Sequence, residues 1–116
     1  MDQALITIEG IQSADVAAAW PTVESWIRDA LEAGHSLESI DDVREQIEAR
    51  DYQLWVVNDP LPVAAFVTRI ATGELGSALV AVCLGGRGME HWLFAVENVI
   101  SNFARAKGCK RVCLHG

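Results

Sequence analysis

The residues best placed to do chemistry lie in the last third of the chain. Gly85-Gly86-Arg87-Gly88 interrupts an apolar run and leads into Met89-Glu90-His91. Glycines between a strand and a helix leave backbone N–H groups open to an anion, and the helix dipole favours a phosphate there. The same glycines serve a tight turn that binds nothing, because they accept positive φ. Glu90 beside His91 is a candidate base where a substrate pocket faces it; otherwise His91, like His35 between two helices, is a surface residue. Cys109, Cys113 and His115 carry metal-ligating atoms. A Cys-x3-Cys pair without a second ligand pair is not zinc spacing, so no metal is expected and the cysteines read as structural thiols. Trp20, Trp26, Trp55 and Trp92 read as core or interface anchors rather than a ligand cage. No Ser-His-Asp or Cys-His order stands out, which leaves the catalytic residue unassigned.

Behind that turn stand the elements that must position it. Ser77-Ala78-Leu79-Val80-Ala81-Val82-Cys83-Leu84 carries no charge, as expected of a strand buried on both faces. From Met89 the period changes. Trp92, Leu93, Val96, Val99, Ile100, Phe103 and Ala104 recur at helical spacing, Arg105 and Lys107 suit the negative end of that helix, and Gly108 is its natural C′ residue. Lys110 to His115 resumes an extended run around Val112, Cys113 and Leu114. A strand, a crossover helix and a strand form a βαβ unit with parallel strands. Its apolar periods place Val80, Val82, Val96, Ile100 and Val112 in one core between sheet and helix.

The preceding chain follows the same kind of punctuation. Ala4 to Glu9 is a first strand ending at Gly10, and Ser13 is the expected N-cap of a helix. That helix carries Val16, Ala19, Trp20, Val23, Ile27, Ala30 and Leu31 inward and ends near Gly34. Pro21 within it predicts a kink, or two short helices. Ser39 and Asp42 open a second helix, with Ile40, Val43 and Ile47 inward and Arg44, Glu45, Glu48 and Arg50 on its solvated face. Tyr52–Val57 and Val63–Ile70 read as strands separated by the Asn58-Asp59-Pro60 turn, with Pro62 barring pairing at the start of the later one. Ala71–Gly76 reads as a loop. Hairpin-like links make these strands antiparallel neighbours. The order is β-α-α-β-β-β-α-β, an α/β fold on a mixed α+β sheet.

Composition bounds the setting. The 116 residues make one domain spanning 1–116, and a 51% hydrophobic content argues for a folded core over disorder. A net charge of −7 argues against a nucleic-acid partner. No apolar run approaches the roughly 18 residues of a membrane span, and no basic-then-apolar signal opens the chain. A cytoplasmic location without a membrane partner is expected. Three cysteines, an odd number mostly within apolar runs, read as reduced thiols.

This order of elements resembles the GNAT (Gcn5-related N-acetyltransferase) superfamily. In that family the fourth strand leads into an Arg/Gln-x-x-Gly-x-Gly/Ala turn that holds the pyrophosphate of acetyl-CoA. The texture is most similar to short GNAT-like proteins of tailed phages and prophages, which share a Gly-Gly-Arg turn, a Trp-Leu helix start and an Ala-x-x-Gly-Cys end. Here those are Gly85-Gly86-Arg87, Trp92-Leu93 and Ala104 to Cys109. The resemblance implies that the backbone of Val82, Cys83 and Leu84 pairs with pantetheine and that the amides of Arg87, Gly88 and Met89 hold the pyrophosphate of acetyl-CoA.

The sequence also departs from the family pattern. Gly85 falls where Arg or Gln is usual, Gly88 matches the central glycine, and Glu90 falls where Gly or Ala is usual. A carboxylate suits a helix N-terminus but repels a pyrophosphate. Tyr52, the single tyrosine, does not occupy the place of the family's acid, and the helix and strands that follow the fifth strand in the family are absent. These departures favour a non-catalytic interaction or structural protein of phage type, working in the cytoplasm or within a phage particle. The alternative is an acetyl-CoA-dependent N-acetyltransferase acting on a small amine or a protein amine. The strand at Lys110–His115 would carry an open edge, so a second copy, as a homo-oligomer, or another protein is expected to complete it.

Overall fold

Hairpin-linked strands buried on both faces form the middle of the molecule, and helices close each face. The computed structural model describes residues 6–113. In chain order the elements are β1 (Thr7–Ile11), a 3-10 turn (Ser13–Asp15), α1 (Val16–Ala33), α2 (Ile40–Glu48), β2 (Tyr52–Asn58), β3 (Pro62–Gly73), β4 (Gly76–Gly86), α3 (Met89–Ala106) and β5 (Cys109–Cys113). They build one five-stranded sheet in the order β1-β2-β3-β4-β5, antiparallel from β1 to β4, with β5 parallel to β4. The α/β fold on a mixed sheet read from the sequence is the fold observed.

Local chemistry explains most boundaries. The hydroxyl of Ser39 accepts the Asp42 amide and the Asp42 carboxylate accepts the Ser39 amide, a reciprocal capping box that opens α2. Val43 and Ile47 then face inward. α3 stops at Ala106, and Gly108 takes the left-handed conformation at φ +75 that its C′ place requires.

Several boundaries differ from the sequence reading. β1 runs through Gly10, which pairs with Trp55, and continues to Ile11. The expected first strand's Ala4 and Leu5 lie outside the described residues, as do Leu114 and His115 of the expected last strand. Ser13 does not cap α1. The chain enters that helix through the 3-10 turn, so the Ser13 hydroxyl sits too early and accepts Nε of Arg50 instead. Arg50 itself lies beyond α2, at φ 69, rather than on its solvated face. Pro21 does not split α1, which is one 18-residue helix; Pro21 and Ala17 are both exposed, so water can satisfy the carbonyl left unpaired. Ala71–Gly73 extends β3 instead of forming a loop, because Gly73 pairs with Gly76 and the hydroxyls of Thr72 and Ser77 bond at 3.0 Å, leaving Glu74 and Leu75 as the turn. Pro62 heads β3 opposite Asn58, where the register shifts.

The core is two cores. On one face Val16, Trp20, Val23, Ile27 and Leu31 of α1, with Val43 and Ile47 of α2, bury Leu54, Val56, Ala65, Val67 and Cys83. On the other, Trp92, Val96, Ile100 and Ala104 of α3 bury Trp55, Val57, Ala64, Phe66 and Leu79. Alternate residues of β2 and β3 thus serve opposite faces, which is why those strands read as unbroken apolar runs. The single core expected for Val80, Val82, Val96, Ile100 and Val112 is therefore corrected. Val112 joins the α3 side with Val96 and Ile100, whereas Val82 packs on the α1 side and Val80 belongs to neither cluster.

The α3 side has a polar centre. Buried Thr68 accepts Nε1 of Trp55 at 3.0 Å and donates to Oε1 of Gln53 at 2.8 Å, so its hydroxyl is satisfied. Trp55 stacks on Phe66 and meets Phe103 edge-on with centroids 5.0 Å apart. Ile100, 1% exposed, lies within this packing. Replacing Ile100 with Ala should cost roughly 2–5 kcal/mol in denaturant melts. A loss under about 0.5 kcal/mol, the level of a surface change, would contradict the packing of α3 described above.

Candidate functional site

The site is built around an irregularity in β4. Val67 pairs with Cys83 and Thr68 with Ala81, so Val82 is an extra residue with no partner in β3. Such a bulge switches the side-chain alternation: Leu79 faces α3 before it, and Leu84 packs on the same side after it. Val82 and Cys83 both turn towards α1. Beside this bulge lies a cleft of about 500 Å³. Ala81 to Leu84 form one wall, Ala30 and Leu31 of α1 another, and Met89 and Leu93 of α3 a third, while buried Phe66 and Ile100 also line it.

Two glycines let neighbouring elements approach this strand, α1 at Gly85 and β3 at Gly86. Gly85 and Gly86, read from the sequence as part of the turn, belong to β4 and pair with Ala65 and Ala64. A Cβ on Gly85 would stand 2.2 Å from the carbonyl oxygen of Trp26, and one on Gly86 2.4 Å from Ala64. Their requirement is close approach of backbone, which a sequence shows only as glycine.

The turn itself is Arg87-Gly88, and it is held from both sides. The Arg87 amide donates to the Val63 carbonyl at 3.0 Å, and Nε1 of Trp92 donates to the Arg87 carbonyl at 2.7 Å. The Arg87 amide, expected to face a pyrophosphate, is thereby occupied within the fold. Gly88, at φ +75, caps α3, and its amide has no acceptor among the described residues. Met89 and Glu90 follow in the first turn, where N–H groups have no carbonyl four residues back.

Of the six residues singled out for a cofactor, Val82, Cys83, Leu84 and Met89 line the cleft together. Arg87 and Gly88 sit in the adjoining turn outside that lining. Glu90 and His91 also lie outside it. They form an exposed pair at 3.6 Å outside the lining of the cleft that a base would have to face. Cys109 and Cys113 are half-buried free thiols on β5, and His115 lies outside the described residues. Trp20, Trp55 and Trp92 are core residues, and Trp26 is half-buried against the α1–α2 cluster. Tyr52 donates to Oε2 of Glu38 at 2.7 Å on the α1 side of the sheet. The residues that sequence reasoning missed are the bulge at Val82, visible only in register, and Glu97, the one carboxylate among the described residues lining the cleft.

Burial governs the ionisation of this region. Desolvation, then the Glu38 carboxylate, pushes the Cys83 thiol up from 9.0 to about 12, so it is a neutral group rather than a nucleophile at pH 7. Desolvation, with the hydrogen bond and charge of Glu38, pushes Tyr52 from 10.0 to about 12. Because the folded-state value exceeds the unfolded one, the folded protein holds each proton more tightly. The stability this provides is complete below about pH 9 and is lost as pH rises through the window from about 9 to about 12. Denaturation midpoints should therefore fall on raising pH from about 9 to about 11, and Cys83→Ala should make that fall shallower. An unchanged slope in the variant would remove Cys83 as its source.

The fold has close relatives in shape and none evident in sequence. No family model matches the chain, and no curated protein matches it. Among solved structures, an aminoglycoside acetyltransferase from an uncultured soil metagenomic sample superposes with a TM-score of 0.70 at 10% identity, covering 95% of this chain and 78% of the other. A GNAT family acetyltransferase from Staphylococcus aureus gives 0.63 at 8% identity, covering 96% and 86%. A predicted acetyltransferase with acetyl-CoA from Clostridium acetobutylicum gives 0.64 at 10% identity, covering 97% and 81%. The chain has the GNAT fold. At these identities the likeness carries the fold alone, and it is silent on the phage setting that the sequence resemblance implied. No helix among the described residues is long and apolar enough to cross a membrane.

Proposed function

We propose that the chain binds an acyl-CoA thioester in the cleft beside Val82, Cys83 and Leu84 and passes its acyl group to an amine. The observation that carries this reading is the cleft: about 500 Å³ of mainly apolar space at the one break in the β3–β4 pairing. A pantetheine arm is slender and mixed in polarity, which suits apolar side walls and a strand whose ladder is interrupted. The acetyl-CoA present with the Clostridium acetobutylicum protein makes acetyl-CoA the first donor to test. The nucleotide end fits less well. Only the amides of Gly88, Met89 and Glu90 are open at the turn, and Glu90 places a carboxylate beside them.

In the transfer, the amine nitrogen attacks the thioester carbonyl carbon, the C–N bond forms and the C–S bond breaks. The sulfur leaves with the bonding pair. Cys83, a neutral thiol, contributes shape and exclusion of water rather than a covalent step. Glu97 is the carboxylate positioned along the cleft to take the proton from the amine, directly or through water.

A second reading, a GNAT-fold domain that works through contacts without catalysis, is favoured by the occupied Arg87 amide and by Glu90 at the start of α3. Its contact surface is the outer edge of β5, which pairs with no strand among the described residues and carries exposed Lys110 and Arg111. A second copy or another protein would add its strand there, and the phage or prophage setting goes with this reading.

Titration calorimetry with acetyl-CoA, paired with thiol release over a panel of small amines and peptides, separates the two. Saturable binding with amine-dependent thiol release is expected. Ala81→Phe, which fills the cleft, should weaken binding by about tenfold or more. Glu90→Ala should strengthen it by about fivefold at low salt. Binding without thiol release selects the non-catalytic reading, and absence of any binding rejects the proposed donor.

A further inference from the structure

Charge is distributed unevenly over this molecule. The stretch from Asp15 to Asp51, which holds α1 and α2, carries ten carboxylates against three arginines. Those arginines are engaged locally: Arg28 with Glu24 at 3.1 Å, Arg44 with Glu48 at 3.3 Å, and Arg50 with the Ser13 hydroxyl. On the side of α2 away from buried Val43 and Ile47, Asp41, Glu45 and Glu48 stand exposed at four- and three-residue spacing, a carboxylate stripe. Leu37, just ahead of that helix, is wholly exposed. The β5 end has the reverse sign. Arg105, Lys107, Lys110 and Arg111 are all exposed, no acidic residue falls between Arg105 and Cys113, and none of the four pairs with a carboxylate among the described residues. The stem of Lys110 lies against Gly76, and the Lys107 ammonium sits 5.6 Å from the centre of the Phe103 ring, so both cations are held at that end. Beside them the outer edge of β5 pairs with no strand among the described residues, and Val112 and Cys113 are only half-buried there.

From this asymmetry we infer that the basic β5 edge is the docking surface for the carboxylate stripe on α2 of a second copy of this chain. One molecule cannot satisfy itself, because α2 packs on β2, three strands away from β5 in the sheet. Nor does the edge suit a second β5. The fullest antiparallel register of β5 on its own copy sets Arg111 opposite Arg111, and like charges directly opposite are destabilising. A helix covers a strand edge without that clash. The lengths agree: nine residues of α2 span about 13 Å and five of β5 about 16 Å. Leu37 supplies the apolar part of the acidic surface, as Val112 and Cys113 do on the edge. Unlike surfaces meeting in this way make a head-to-tail contact, which closes into a ring or extends as a chain of copies. The inference rests on the contact reading for its open edge and names the partner. It does not depend on the cleft, whose ligand the calorimetry with acetyl-CoA decides separately.

Sedimentation velocity over a concentration series tests the contact. The wild type should associate as concentration rises at ordinary salt, where screening over roughly 8–10 Å mutes the general repulsion of two chains of net charge −7 and spares pairs in contact. At about 1 M salt the contact pairs are screened too, and association should be lost. Lys110→Glu with Arg111→Glu, and separately Glu45→Arg with Glu48→Arg, should each weaken self-association by about tenfold or more. An equimolar mixture of the two variants should associate again, because each finds an opposite surface on the other. If the β5 variant fails to fold, Lys110→Gln with Arg111→Gln removes the charge alone and should shift association in the same direction. In the associated form the amides of Lys110–Cys113 should exchange more slowly. A monomer at every concentration up to about 1 mM, association indifferent to both reversals, or association that strengthens in about 1 M salt overturns the inference. A monomer whose β5 amides are protected only by added poly-glutamate assigns the edge to a foreign acidic segment and overturns the second copy as its occupant.

Discussion

The approach of α1 to the backbone of β4 is the constraint on which the site depends. Helix and strand touch where Gly85 passes under the Trp26 carbonyl, with Ala30 also within reach of any added Cβ. Because nothing projects from Gly85, Trp20, Val23, Ile27 and Leu31 reach the sheet and are buried there. The same contact sets the end of α1 as a wall of the cleft. An arginine or glutamine at this position, as the family pattern has it, would have to displace the helix and open the core beneath it. Glycine at position 85 is therefore a packing requirement of this chain.

The bulge at Val82 follows from the same crowding on two faces. A strand paired regularly along its length would send Leu79 and Cys83 to the same side. Here Leu79 packs under α3 and Cys83 under α1, each buried within its own cluster. The extra residue reconciles those two demands and leaves Val82 without a partner in β3. Packing on both faces and the opening of a cleft are in this way one event in β4. Desolvation of Cys83, which keeps its thiol protonated, is the chemical trace of the same enclosure.

Much of the fold was legible because periodicity reports burial. The stripe on α3, the capping box of Ser39 and Asp42, and the C′ glycine at 108 each rest on local chemistry written in adjacent residues. What could not be read depends on partners distant in sequence. Glycines 85 and 86 look like a turn until Trp26 and Ala64 are placed against them. Ser13 has the right chemistry for a cap, yet a 3-10 turn puts it out of place and Arg50, 37 residues on, takes its hydroxyl. The two-sided core was hidden for a similar reason: residue types fix how apolar a strand is, while register decides which face each residue serves. At the site, the run Val82 to Leu84 and the turn at Gly88 were visible as types. The Arg87–Val63 bond, which decides what the turn can offer, was not.

Under the proposed acyl-CoA reading, the two obstacles to a phosphate at the turn differ in kind. Glu90 acts through charge on an exposed side chain, so its effect is screened over a Debye length of roughly 8–10 Å at ordinary salt. The Arg87 amide acts through geometry, since its hydrogen is already committed to Val63, and salt does not release it. In a chain of net charge −7 the general field adds to the first obstacle and leaves the second unchanged. The apolar walls at Leu31, Leu93 and Phe66 belong to neither, because burial of apolar surface does not depend on screening. Under the proposed acyl-CoA reading, recognition is consequently weighted towards the thioester arm. In that reading a nucleotide end would meet only the few amides that the clamped turn leaves open, and most of the affinity would come from the cleft.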